Sequence, residues 1–124
     1  MPIPILKQGN FLIVSIQALS GDQDLVDLKD NLSAQVGLYR TKGVVIDVTT
    51  LDVLDSFSTR TLRTIANTLR LRGAETVIVG IQPDVAFAMI QLGLKLNDVK
   101  TALNLEEGLV LLQKQIQRES ISGK

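Results

Sequence analysis

Apolar residues along this chain fall into two rhythms, one of strands and one of helices. Ile3 to Leu6 and Phe11 to Gln17 are short runs rich in Ile, Val and Leu. Gln8-Gly9-Asn10 between them is a turn signal, so the pair reads as a hairpin. From Asp22 to Tyr39 the spacing changes. Leu25, Leu28, Leu32 and Val36 recur at helical intervals, with Asp and Lys on the other side. Lys42-Gly43 breaks that pattern. Gly43 to Val48 is a continuous apolar run with β-branched residues, as in a central strand buried on both faces. A second helix is predicted from about Phe57 to Leu71. Leu62, Ile65, Ala66 and Leu69 share one face, and Arg60, Arg63, Asn67 and Arg70 the opposite one. Gly73 ends it.

Thr76 to Ile81 reads as another buried strand. Pro83 suits the first turn of a third helix and Gly93 its end. That helix, Pro83 to Leu92, is apolar nearly all round, so burial on two sides is expected, with contact to another protein as the alternative. A short strand is expected near Thr101 to Leu103. Asn104-Leu-Glu-Glu107 resembles a capping box opening a last helix, whose stripe is Leu105, Leu109, Leu112 and Ile116. The order ββαβαβα(β)α predicts one α/β domain over residues 1–124, its core running from about Ile3 to Ile116. The sheet is mixed and mostly parallel, with about four helices packed on it.

Composition narrows the chemistry. The chain of 124 residues carries 13 basic and 13 acidic side chains, so its net charge is zero. A nucleic-acid binder is normally basic, and with only 3% aromatic residues there is no stacking platform for single strands. Histidine and cysteine are absent, which removes thiol nucleophiles, Ser-His-Asp triads, His-ligated metals and disulfides. No Gly-rich phosphate loop is present, so an enzyme is unsupported. The N-terminus lacks a signal-peptide pattern, and the longest uncharged stretch, Gln8 to Gly21, is too short and polar to span a bilayer. A cytoplasmic protein is the expectation. Yet 45% of residues are hydrophobic and mean hydropathy is +0.24, which points to surface covered by partners and favours a dimer.

The loop after the Gly43–Val48 strand holds the most polar chemistry. Asp52, Asp55, Ser56, Ser58 and Thr59 crowd the predicted start of the second helix, where free backbone N–H groups favour an anion. Ser and Asp before a helix are ordinarily N-caps. The alternative is serine phosphorylation, which would add about −1.5 to −2 charges to a neutral surface. Asp22 and Asp24 read as capping residues of the first helix, and the arginine row as a solvated face. Asp47, Asp52 and Asp55 could offer carboxylates to magnesium, but no pattern fixes an octahedral set, and no metal is expected. A receiver-type phosphoacceptor would need an acidic pair after its first strand and a Lys after its last. Ser15-Ile16-Gln17 and Thr101-Ala102-Leu103 stand there instead.

Val45-Ile-Asp-Val48, Val53-Leu-Asp-Ser-Phe57 and Gly80-Ile-Gln-Pro-Asp-Val85 together resemble the STAS domain family, named for sulfate transporters and anti-sigma factor antagonists. The resemblance spans Ile3 to about Ile116. Within the family, Pro4-Ile-Leu-Lys7, Val14-Ser-Ile-Gln17, Asp22-Gln23 and Thr101-Ala-Leu-Asn-Leu105 are similar to the small antagonist subunits of the bacterial stressosome. Direct anti-sigma antagonists usually carry Asp-Ser-Ser/Thr-Gly, whereas this chain has Phe57 and Ser58 after Asp55-Ser56; that role in a partner-switching pathway is the alternative. The resemblance implies a phosphoacceptor at Ser56, with Ser58 as second candidate, and implies that Asp55 and Asp22 position it. It further implies a non-enzymatic antagonist that sequesters a serine kinase of RsbT type and co-assembles with RsbR-type STAS sensor proteins. A cognate phosphatase would reset the serine. ATP would belong to the kinase, so no cofactor is expected.

Overall fold

The computed structural model describes residues 2–97 and 99–122. Its elements follow the hydrophobic rhythm closely: β1 (Ile5–Gln8), β2 (Phe11–Ser15), α1 (Asp22–Tyr39), β3 (Gly43–Asp47), α2 (Ser56–Leu71), β4 (Glu75–Val79), α3 (Pro83–Gln91), β5 (Lys100–Ala102) and α4 (Leu105–Ser122). The strands lie in the sheet in chain order, β1-β2-β3-β4-β5. Only the β1–β2 hairpin is antiparallel; the other pairs are parallel. The mixed, mostly parallel α/β sheet expected from the element order is observed.

The helices divide unequally between the two faces. On one face, α1 and α2 bring Leu25, Leu28, Leu32, Leu62, Ile65 and Leu69 onto Leu12, Val14, Val44, Ile46 and Ile78. Val85 and Met89 of α3 join the same cluster. The other face carries Val45, Val77 and Val79, covered by α4 through Leu112. Strand residues 44–46 and 77–79 are therefore buried on both sides, which is why they read as unbroken apolar runs. Gly108 brings α4 close to β4: a Cβ there would lie 2.6 Å from Cγ1 of Val79. Of the stripe assigned to the last helix, Leu112 is fully buried, Leu109 and Ile116 are half-buried, and Leu105 lies at the margin. Among the described residues, no helix is long and apolar enough to cross a membrane.

α1 ends at Tyr39 and Gly43 opens β3, as the pattern predicts; the chain turns between them at Arg40, whose backbone is left-handed (φ 54°). Two local expectations are corrected. First, Gly21 is the N-cap of α1, and Asp24 rather than Asp22 supplies the capping carboxylate, accepting from the Gly21 amide at 2.8 Å. Second, α3 is not buried on two sides. Val85 and Met89 face the core, but Phe87 is 63% and Ile90 76% exposed. A nine-residue helix on an edge crossover packs on the sheet through one side only.

Candidate functional site

The site begins where the parallel strands end. Asp47, the last residue of β3, turns its carboxylate onto the following loop: Oδ1 accepts from the Thr49 amide at 2.8 Å and from the Thr49 hydroxyl at 2.5 Å. Thr50 donates its hydroxyl to the Ile16 carbonyl at 3.2 Å, tying the loop to the end of β2. Gln82, just after β4, donates from Nε2 to the Thr49 carbonyl at 2.8 Å. Gly80 lies against the same threonine with φ +81°, and a Cβ there would run into Thr49 Oγ1. Loop 48–55 is thus fixed from β2, β3 and the β4–α3 connection, and Leu54 anchors it in the core.

The loop delivers Asp55 as the N-cap of α2. Its backbone is extended (φ −80°, ψ −178°), and its Oδ1 accepts from the Ser58 amide at 2.8 Å. That amide first, then the Ser58 hydroxyl, holds the Asp55 carboxyl below the usual carboxylate range; partial desolvation opposes this, and Arg60 adds a small favourable charge. The carboxylate is ionised at neutral pH and sits at the positive end of the helix dipole.

The hydroxyl residues nearby are now distinct. Ser56 is the first helical residue and its side chain is exposed. The Ser56 and Phe57 amides are among those that helix geometry leaves without an intrahelical acceptor. Ser58 is half-buried, engages Asp55, and lines a small pocket of about 90 Å³ with Gln17, Ser20, Leu51 and Leu54. Thr59 is buried to 1% exposure, and its hydroxyl has no partner. Asp22 stands exposed at the first position of α1. Ser20, just before α1, lines the same pocket as Ser58, so the starts of α1 and α2 flank it.

Asp47 is engaged by Thr49, and Asp52 is exposed. Among the described residues, no three acidic groups converge as a metal ion would require. The arginine row is largely tied to its own fold: Arg63 donates to the Lys95 carbonyl at 2.6 Å, and Arg70 lies 3.7 Å from Glu75. Residue patterning did not reveal Gly80 and Gln82 as supports of the loop. Both belong to a Gly-x-Gln-Pro run directly after a buried strand, which is the available signal.

The STAS domain family model matches residues 3–108. The curated protein RsbT co-antagonist protein RsbRA of Bacillus subtilis (strain 168) is 28% identical over 120 residues, covering 97% of this chain and 43% of that protein. The chain therefore spans less than half of that relative's length. A solved serine-to-glutamate variant of RsbS from Moorella thermoacetica matches with TM-score 0.79 and 36% identity, covering 93% of this chain and 97% of that one. A chain from the molecular architecture of the stressosome, a signal integration and transduction hub, matches with TM-score 0.78 and 38% identity, covering 92% and 99%. This chain belongs to the STAS domain family.

Proposed function

We propose that this chain is a non-enzymatic subunit of a cytoplasmic bacterial stressosome, an antagonist that holds a serine kinase of RsbT type and releases it when Ser56 is phosphorylated. The observation that carries the reading is the placement of Ser56. It stands exposed at the first position of a helix whose cap and preceding loop are rigidly held. Similarity to RsbS over nearly its whole length supports the setting. Likeness to RsbRA supports RsbR-type STAS proteins as assembly partners, and a cognate phosphatase would complete the cycle.

The chemistry of the switch follows from the cap. A phosphoryl group on Ser56 would bring about −1.5 to −2 charges to a surface of zero net charge. The free first-turn amides and the helix dipole attract it. Ionised Asp55, one residue away, repels it. With attraction and repulsion opposed at the helix end, the fold is barely disturbed while the charge facing a partner changes. A kinase docked on this end would lose affinity through like-charge repulsion and desolvation of the phosphate.

Incubation with ATP and an RsbT-type kinase, followed by intact-mass and fragment spectrometry, tests the reading. One phosphate on Ser56, and weaker kinase binding by Ser56→Asp than by wild type, is expected. A kinase that binds but leaves Ser56 unmodified would reduce the chain to a scaffold subunit.

A further inference from the structure

We propose that this chain binds the surface of an anionic lipid bilayer through the end of the fold opposite Ser56. The net charge of zero hides a strong polarity. β1 ends, and β2, β3 and β4 begin, along one rim of the sheet. Lys7, Arg40, Lys42, Arg70 and Arg72 stand exposed on the strand and helix ends and turns of that rim. α4 runs toward it, with Gly108 beside Val79 and Leu112 beside Gly43, so its last turns bring Lys114 and Arg118 to the same end. Among the described residues, only Glu75, 3.7 Å from Arg70, and Glu119 place acid there. The opposite rim is where the four helices begin. Asp22, Asp24, Asp55, Asp84, Glu106 and Glu107 cluster at those starts.

Apolar side chains are interleaved with these cations. Leu71, between Arg70 and Arg72, is 90% exposed, and Leu38 and Tyr39, directly before Arg40, are 72% and 48% exposed. The pieces form one surface. The Arg72 guanidinium lies over Gly37 of α1, which joins the ends of α1 and α2, and Lys7 Nζ stands 5.6 Å from the centre of the Tyr39 ring. Gly9 and Gly73 on the same rim open onto empty space, so the surface is convex and suits a flat partner rather than a peptide lying in a groove. Apolar tips ringed by cations fit anionic lipid: the tips enter the acyl boundary while the charged groups stay with the headgroup phosphates. A nucleic acid offers phosphates, but nothing for Leu38 and Leu71 to enter. The polarity also sets the orientation. An anionic surface attracts the basic rim and repels the acidic one, so Ser56 faces away from the bilayer and stays open to a kinase.

Co-sedimentation of the full chain with vesicles tests this. Binding is expected to equimolar phosphatidylglycerol and phosphatidylcholine, not to phosphatidylcholine alone, and should fall steeply between about 0.05 and about 0.5 M salt. Arg40→Gln and Lys42→Gln should each lower the partition coefficient about fivefold. Lys29→Gln removes the same charge from the middle of α1 and should change it less than about twofold. The chain has no tryptophan, so one introduced indole reports its own surroundings. Leu71→Trp should shift its emission to the blue on anionic vesicles. Val53→Trp, at a site 71% exposed in the loop before Ser56, should not. No binding to the anionic vesicles, equal binding to the neutral ones, an equal loss from Lys29→Gln, or an equal shift from Val53→Trp would overturn the proposal. Retention on immobilised polyglutamate without vesicle binding would assign the rim to an acidic protein and overturn it too. None of these measurements involves the kinase or Ser56, so their failure leaves the phosphorylation switch standing.

Discussion

Replacing Asp55 by alanine removes the one side chain that starts α2. The substitution deletes the acceptor of the Ser58 amide at 2.8 Å, the partner of the Ser58 hydroxyl, and a negative charge at the helix start. Loss of an N-cap costs about 1 kcal/mol, and the dipole interaction adds about 0.3–1 kcal/mol. Asp55 is exposed, so these capping figures set the magnitude. A total of about 1–2 kcal/mol corresponds to a fall in Tm of roughly 4–8 °C for a domain of this size. The folded-state pKa of Asp55 lies below its unfolded value. Its stabilisation is therefore complete above the unfolded pKa, about 3.9, and fades as pH falls through the folded value. Urea unfolding of wild type and Asp55→Ala should show the full gap at pH 7 and a narrowing gap below about pH 4. Asp55→Asn keeps an acceptor without the charge, so it should lose less than alanine at pH 7, and that smaller loss should likewise fade below about pH 4. A wild-type–alanine gap that is the same at pH 7 and in acid would refute the charged-cap account.

Four further outcomes follow from named contacts. Ser56→Ala should stay within about 0.5 kcal/mol of wild type in urea while losing the kinase-dependent mass gain, because the side chain is exposed. Gly80→Ala should cost about 2 kcal/mol or more, since φ is +81° and the new methyl meets Thr49; slower phosphorylation of Ser56 should accompany it as loop 48–55 shifts. Thr59→Val should be neutral or stabilise by up to about 1 kcal/mol in thermal unfolding, because the buried hydroxyl it removes has no partner. Leu112→Ala should cost about 2–5 kcal/mol by urea denaturation, since this fully buried side chain seats α4 on the sheet.

Much of this architecture is written in local patterns. The Leu25-Leu28-Leu32-Val36 stripe marks α1 at its true bounds because each member packs on the sheet, and the Val44–Ile46 run marks a strand because both its faces are covered. What local pattern could not settle depends on neighbours distant in sequence. Arg40 turns the chain although glycine is the usual residue there, because the turn must deliver Gly43 beneath Phe11 and Leu112. The exposed side of α3 could not be read from a helix apolar all round; only its place on an edge crossover decides which side meets water. At the site, Asp55-Ser56 at a helix start was legible from capping rules. The separation of exposed Ser56 from tethered Ser58 and buried Thr59 was not, because it depends on how α2 rotates against the core.

Because every strand pairs with its neighbour in sequence, the sheet can grow in the order in which a ribosome releases it. Each emerging strand meets an edge already waiting, with no later segment to be threaded between two earlier ones. Helices α1, α2 and α3 arrive between strands and cover one face as it forms. The other face has no such protection until residues 105–122 are made. Val45, Val77 and Val79 must wait for Leu112, so the nascent chain carries a bare apolar surface until α4 docks. Docking of α4 is thus the step that covers the second face of the sheet.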